Sequence, residues 1–243
     1  MINTHRLLPD RLMTRQDKMQ DNAQNSIQDK TLWDWPVRVI HWTFVVLIPL
    51  AWWTAEESLY EYHEWIGLTL ITLVITRIVW GFVGSAHARF SDFLTGPLAI
   101  AAYLRGQGAR SRGHNPLGGW SVVALLSVLL LQAVSGLFNS DDVLYNGPLY
   151  YAASTGFRDA MGEIHELAFD ALVVLVVLHL LAIAYYQFLR HQPLIQAMIR
   201  GRAEGKAGVE APRPWWLAVL IAGVLALLLW WGLSLAPEPP RMW

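Results

Sequence analysis

The sequence predicts an all-α membrane protein, with a four-helix transmembrane bundle followed by a fifth, C-terminal transmembrane helix. Of the 243 residues, 54% are hydrophobic and 15% are charged, which is a low charge content for a soluble domain. The apolar residues are gathered into five blocks, each long enough for a helix of about 20 residues that crosses a bilayer. The chain has no cysteine, which excludes disulfides, thiolate-held iron–sulfur clusters and covalent c-type haem attachment.

The predicted spans divide the chain into three parts. Residues 1–30 are polar and lack apolar periodicity, so we interpret them as a flexible cytoplasmic tail and not as a signal peptide. Residues 31–190 contain four spans, and residues 191–243 contain a basic cytoplasmic segment and the extra span. The spans are predicted at residues 37–53, 63–83, 118–138, 162–188 and 215–235.

The charges of the connecting segments predict an orientation in the membrane. The segments 84–115 and 192–213 are basic, as is the N-terminal tail, whereas the short segment 54–62 is acidic. By the positive-inside rule the N-terminus then lies in the cytoplasm and the C-terminus outside. Within the first basic segment, residues 91–104 are predicted to form an amphipathic helix at the interface. Residues 139–161 are predicted to form a long outer loop.

Two histidines of the fourth span, His165 and His179, lie fourteen residues apart. On a helix this spacing points both rings to within about 40° of the same face and separates them by about 21 Å along the axis. In the predicted topology His41 lies at the cytoplasmic level of His179, and His63 lies at the outer level of His165. Two levels of two histidines, each with one ligand from span four, are what two stacked bis-histidine haems require.

Two arginines lie at the cytoplasmic level of this arrangement and are candidates to bind haem propionates. Arg77 follows His63 by fourteen residues, and Arg38 directly precedes the turn that carries His41. The alternative is that both arginines extend to the cytoplasmic interface. His114 precedes the third span and is a candidate to approach the inner haem or a quinone. The other histidines lie in polar segments and are expected at the surface: His5, His87 and His191.

Short motifs across about residues 33–188 have an order and spacing that is specific as a set. They are Trp35-Pro36-Val37-Arg38 before His41-Trp42, His63 with Gly67 and Arg77, Trp80-Gly81-Phe82-Val83-Gly84, Ala88-Arg89-Phe90, His114-Asn115-Pro116-Leu117, and His165-Glu166 with His179. In the order and spacing of these motifs, the sequence resembles the bacterial cytochrome b561 proteins and the b-type cytochrome subunits of nickel–iron hydrogenases.

The resemblance implies that four transmembrane helices hold two haems b. Carried over to this chain, the ligands are His41 and His179 on the cytoplasmic side, with His63 and His165 on the periplasmic side. It further implies electron exchange between a periplasmic redox partner, either a c-type cytochrome or an oxidoreductase, and the membrane quinone pool. The chain would then be an electron-transfer subunit and not a stand-alone enzyme. The fifth span departs from the family pattern, and we expect it to pack against a partner subunit.

The outer segments are acidic, which would suit a basic redox partner, although the positive-inside rule alone also depletes Lys and Arg there. The acidic residues in question are Glu56, Glu57, Glu61, Asp141 and Asp142.

Two other functions stay open from the sequence. The first is a haem-free protein whose histidines relay protons or line a transport path, although the chain lacks the paired broken helices and internal repeat of many transporters. The second is a membrane anchor that assembles other redox subunits and does not need its own haems for turnover. Measured haem content distinguishes the first alternative from an electron-transfer cytochrome. Quinone-linked electron flow in variants of the histidine ligands distinguishes the second.

Overall fold

The described part of the chain is built from α-helices, as the sequence predicted. The computed structural model describes residues 32–107, 116–141, 143, 145–202 and 212–237. Its helices are α1 (Trp35–Glu56), α2 (Tyr60–Val83), α3 (Phe90–Phe93), α4 (Pro97–Leu104), α5 (Pro116–Gly136), α6 (Thr155–Ala184), α7 (Leu194–Arg200) and α8 (Trp215–Ser234). Five of them, α1, α2, α5, α6 and α8, are long and apolar enough to cross a membrane.

The bundle consists of two helical hairpins and an added helix. Helix α1 packs along α2, and α5 packs along α6, while α2 also packs against α5 and α8. Val74 of α2 is fully buried at the α2–α5 interface, in a cluster with Leu126, Leu129 and Leu172. The main backbone contact between the hairpins therefore lies between α2 and α5. Helices α1 and α6 belong to different hairpins and approach each other through side chains.

The start of α1 is fixed by Asp34, which serves two helices at once. One carboxylate oxygen accepts a hydrogen bond from the backbone N–H of Val37 at 3.1 Å, which caps the helix. The other oxygen accepts from the indole N–H of Trp80 on α2 at 2.8 Å. Trp80 is fully buried, so the carboxylate satisfies a donor that has no access to water.

A hydrophobic cluster closes the same end of the bundle. It contains Leu32, Trp33, Val37, Trp80, Ala88, Ala197 and Ala218. The backbone N–H groups of Leu32 and Trp33 donate to the carbonyl of Gly201, at 2.8 and 3.2 Å. Gly201 has a φ of 76°, a left-handed conformation that glycine adopts without strain, and it ends helix α7. The segment after α6 thus folds back onto the start of α1 and buries Trp33.

Some boundaries differ from the predicted ones for identifiable reasons. Helix α6 begins at Thr155, after an extended Ser154, and not at residue 162. Its first two turns contain polar residues and are largely exposed. They therefore do not extend the apolar run from which the span was predicted. The loop predicted at residues 139–161 spans residues 137–154 in the structure and contains a 3₁₀ turn at Tyr150–Ala152.

The amphipathic helix predicted at residues 91–104 is two helices, α3 and α4. Pro97 is the first residue of α4. Proline has no N–H to donate, so a helix from residue 91 would be interrupted here, whereas a new helix can begin at this position.

Helix α8 agrees with its predicted span and carries a tryptophan pair near each end. Trp215 and Trp216 begin the helix, Trp230 and Trp231 lie near its end, and all four are exposed. The pairs are about 22 Å apart along the axis, so both can lie in the interfacial regions of one bilayer. Of the residues of α8, only Ala218 is buried.

Replacing Asp34 tests the double role of its carboxylate. We expect Asp34→Ala to remove the helix cap and to leave the Trp80 N–H buried without an acceptor, lowering the free energy of unfolding by about 2–4 kcal/mol. The matched control is Asp34→Asn, which keeps a capping oxygen and should lose less. Thermal unfolding of the purified protein in detergent measures both, and equal melting temperatures for Asp34→Ala and the wild type would contradict the assignment.

Candidate functional site

His41 of α1 and His179 of α6 face each other between the two hairpins. Their ring centroids are 6.5 Å apart, and their planes are tilted by 56°. The Nδ1 atom of His41 is buried and has no hydrogen-bond partner among the described residues. We call these two residues the His41 pair.

His63 of α2 and His165 of α6 form a second pair, the His63 pair, with ring centroids 6.4 Å apart and planes inclined by 80°. Nδ1 of His63 lies 2.8 Å from the carbonyl oxygen of Ala51, and Nδ1 of His165 lies 2.8 Å from that of Gln132. A carbonyl only accepts hydrogen bonds, so each Nδ1 carries the proton. Nε2 of each ring then carries a lone pair, and in His165 the side-chain amide nitrogen of Gln132 lies 3.1 Å from that atom.

The structure thus brings together the residues that the sequence analysis grouped by level. Each pair takes one histidine from α6 and one from another helix. The two α6 histidines are separated by about 21 Å along the helix axis. The pairs are therefore two separate sites, stacked along α6.

Both pairs have the separation expected for two imidazoles that bind one metal atom. With nitrogen–metal bonds of about 2 Å on each side, the ring centroids lie about 6 Å apart. Among the described residues, no three His, Asp or Glu side chains converge as a non-haem metal site requires. A haem iron takes four nitrogens from the macrocycle, so two histidines complete its coordination.

Unpartnered polar atoms mark both sites. Besides Nδ1 of His41, the side-chain oxygen Oε1 of Gln132 is buried without a hydrogen-bond partner. The amide nitrogen of Gln132 lies 3.1 Å from Nε2 of His165, the atom that would bind a metal. Both atoms are polar groups held inside the bundle, the first in the His41 pair and the second beside the His63 pair.

Comparison with known protein families identifies the chain. A family model described as prokaryotic cytochrome b561 matches residues 32–201. The chain belongs to the prokaryotic cytochrome b561 family. Searches of curated proteins and of solved structures gave no match. This family comprises helical membrane proteins that bind b-type haem, and the match includes α1 to α7 but not α8.

Helix α5 of this cytochrome carries no histidine but holds His165 in place. The hydroxyl of Ser135, which is fully buried, donates to the carbonyl of Gln132 at 3.0 Å and lies 3.2 Å from Nδ1 of His165. A Cβ atom at Gly136 would lie 2.9 Å from Cε1 of His165. The sequence analysis missed this role of α5, although a glutamine in an otherwise apolar span is an available signal.

The two candidate arginines have different surroundings. Arg77 is only 5% exposed, donates to the carbonyl of Ala88 at 3.3 Å and lies 5.7 Å from the ring centre of Phe90. Arg38 donates through Nε to the carbonyl of Met198 at 3.1 Å and through Nη2 to that of Ile199. Its guanidinium therefore binds the C-terminal carbonyls of α7, where a cation is favourable.

The loop 137–154 is anchored on the first turn of α2, next to His63. Tyr145 stacks on Tyr60 with centroids 5.3 Å apart, and its hydroxyl donates to Glu64 at 3.2 Å. Burial and the neighbouring carboxylate raise the pKa of Tyr145, so the phenol stays protonated and remains a donor.

The remaining sequence candidates are polar residues outside the two histidine pairs. Asp141 uses its carboxylate inside the loop, where it accepts from the N–H groups of Val143 and Tyr145, at 3.0 and 2.7 Å. His191 is exposed, as expected, and has a φ of 51°. His87 is half-buried in a short 3₁₀ turn. Three candidates lie outside the described residues: His5, His114 and Asp142.

A methyl group at Gly136 tests how closely α5 contacts the His63 pair. We expect Gly136→Ala to displace the His165 ring, at an overpacking cost of about 1–3 kcal/mol, and to lower haem binding at this pair alone. Gly156→Ala is the matched control, because Gly156 lies on α6 in open space. Haem stoichiometry and low-spin absorption of the purified variants report the result. A Gly136→Ala protein with wild-type haem content and spectrum would contradict the contact.

Proposed function

We propose that this cytochrome holds two haems b and passes electrons across the bacterial inner membrane, between a periplasmic redox partner and the quinone pool. One haem would be ligated by His41 and His179, and the other by His63 and His165. The observation that carries the proposal is the pair of facing imidazoles, 6.5 and 6.4 Å apart by centroid, at each of two levels along α6. When bound, the haem supplies reversible one-electron chemistry.

The protein's own part in this chemistry would be to supply two imidazole ligands at each level and to orient their rings. The carbonyls of Ala51 and Gln132 hold the Nδ1 protons of His63 and His165, so each ring presents Nε2. A haem held by two histidines would have protein ligands in place of an exchangeable one. The site is therefore suited to electron transfer and not to oxygen chemistry.

Arginine contacts to the haem propionates are part of the proposal. Arg77 is buried at the inner end of α2, and its fork of donors suits a carboxylate. Arg38 lies one turn before His41, but two of its donors are engaged by α7. We assign Arg77 the larger share of propionate binding and Arg38 mainly the attachment of α7.

The distribution of charge supports an orientation with the N-terminus in the cytoplasm and the C-terminus in the periplasm. Most arginines among the described residues lie at the end of the bundle that holds the start of α1: Arg38, Arg77, Arg89, Arg105, Arg190, Arg200, Arg202 and Arg213. The opposite end carries Arg158 and many acidic residues. The positive-inside rule then assigns the His41 pair to the cytoplasmic level and the His63 pair to the periplasmic level.

The periplasmic end is suited to dock a partner with a basic surface, such as a c-type cytochrome or an oxidoreductase subunit. Glu56, Glu57 and Glu61 are exposed there, beside the loop that Tyr145 anchors to α2. Opposite charges on the two surfaces would speed the encounter of the partners.

Single ligand variants test the pairing of the histidines. We expect His41→Ala and His179→Ala to lose the same haem, and His63→Ala and His165→Ala to lose the other, so each variant keeps about half of the haem. The control is His191→Asn, because asparagine tolerates the positive φ of that exposed position. Pyridine haemochrome assays and reduced-minus-oxidised spectra measure the effect. Different residual spectra within one pair would contradict the assignment.

Electron flow through the membrane tests the function itself. Proteoliposomes with trapped ferricyanide should lose its absorbance when a membrane-impermeant reductant is added outside, because two stacked haems connect the two surfaces. Vesicles with the haem-deficient His179→Ala variant should stay near the rate of empty vesicles. A wild-type rate equal to that of empty vesicles, with both haems bound, would contradict transmembrane transfer. Reduction of a quinone in the same vesicles tests the proposed acceptor.

A further inference from the structure

The two histidine pairs differ in how their Nδ1 atoms are hydrogen bonded. In the His63 pair, both Nδ1 protons are bound by backbone carbonyls, each at 2.8 Å. In the His41 pair, Nδ1 of His41 is buried without a partner among the described residues. The pairs have the same residue type and nearly the same ring separation, and this hydrogen bonding distinguishes His63 and His165 from His41.

We propose that the last turn of α5, residues 132–136, is a positioning element that lowers the redox potential of the haem at the His63 pair below that at the His41 pair. The proposal rests on the haem ligation proposed above. It concerns residues of α5, a helix that supplies no ligand.

The physical basis is the basicity of the axial imidazole. A hydrogen bond from Nδ1–H to an oxygen shifts electron density toward Nε2 and makes it a stronger donor to the metal. A stronger donor stabilises the oxidised iron more than the reduced iron, so the potential falls. The unpartnered Nδ1 of His41 lacks this effect.

The end of α5 is built to let His165 reach this acceptor. The hydroxyl of Ser135 lies 3.2 Å from Nδ1 and adds a second oxygen beside the Gln132 carbonyl. Gly136 has no side chain, and a Cβ atom there would lie 2.9 Å from the imidazole. Beyond Ser135 the helix tightens, with i to i+3 hydrogen bonds such as that from Leu137 to Val134, at 3.2 Å. The helix end thus offers two oxygen atoms to one buried ring.

The consequence is a direction for the electron. A lower potential at the His63 pair makes transfer to the His41 pair energetically downhill. In the proposed orientation, this difference by itself favours electron transfer from the periplasmic side toward the cytoplasmic side.

Redox titration of the full-length protein in detergent, followed through the haem absorption bands, tests the proposal. We expect two components in the wild type. His63→Ala should keep the haem at the His41 pair, and the component that remains should be the higher one. Ser135→Ala removes one of the two oxygens around Nδ1 of His165, so it should shift the lower component upward and leave the higher one in place.

Ser127→Ala is the matched control, since Ser127 lies exposed on α5 about two turns before Ser135; it should shift neither component. The proposal is overturned if Ser135→Ala leaves the lower component unchanged or shifts the higher one, or if His63→Ala keeps the lower component. Loss of the lower component in Ser135→Ala would show that Ser135 retains the haem and does not tune it, and this also overturns the proposal. A wild-type protein without haem would instead refute the proposed function.

Discussion

The placement of four half-buried imidazoles among apolar helices is the constraint on which the rest of the structure depends. A buried polar atom without a hydrogen bond costs free energy, and the lipid interior supplies no water to satisfy it. The backbone carbonyls of Ala51 and Gln132 satisfy one nitrogen of His63 and one of His165. Nδ1 of His41 and Oε1 of Gln132 are left without partners. Ligation of a haem at each pair, as proposed above, would account for these residues inside the bundle.

The packing of the helices holds the two rings of each pair opposite one another. The apolar interface between α2 and α5 holds the hairpins together around the buried Val74. The histidines project from α1, α2 and α6, so each pair bridges elements that are distant in sequence. At the end of the bundle that holds the start of α1, Asp34 fixes α1 to α2, and Gly201 fixes the segment after α6 to the start of α1. The two helices of the His41 pair are thereby tied together near the membrane surface.

The sequence predicted the features that arise from local periodicity. Apolar length indicated five spans, and the fourteen-residue spacing of His165 and His179 indicated a shared helix face. These inferences need only the geometry of one helix. The pairing of His63 with His165 and of His41 with His179 also needed the topology, which the charges of the loops provided.

The features that the sequence did not predict depend on contacts between distant segments or on polar helix ends. The contact of Ser135 with His165 joins residues thirty positions apart, and nothing local to either residue indicates it. The first turns of α6 are polar and exposed, and α7 is short, so neither has the apolar length by which a membrane span is predicted. Arg38 was considered only for its closeness to His41, whereas its contacts with α7 involve residues about 160 positions away. Tertiary context decides such roles.

The most direct measurement of the central claim is the haem content of the purified wild-type chain, by pyridine haemochrome assay against protein concentration. The account predicts about two haems b per chain, with the sharp reduced bands of low-spin, six-coordinate iron. One haem per chain would leave one pair of facing histidines without its group. Folded protein prepared without haem loss that nevertheless contains none would contradict the account as a whole.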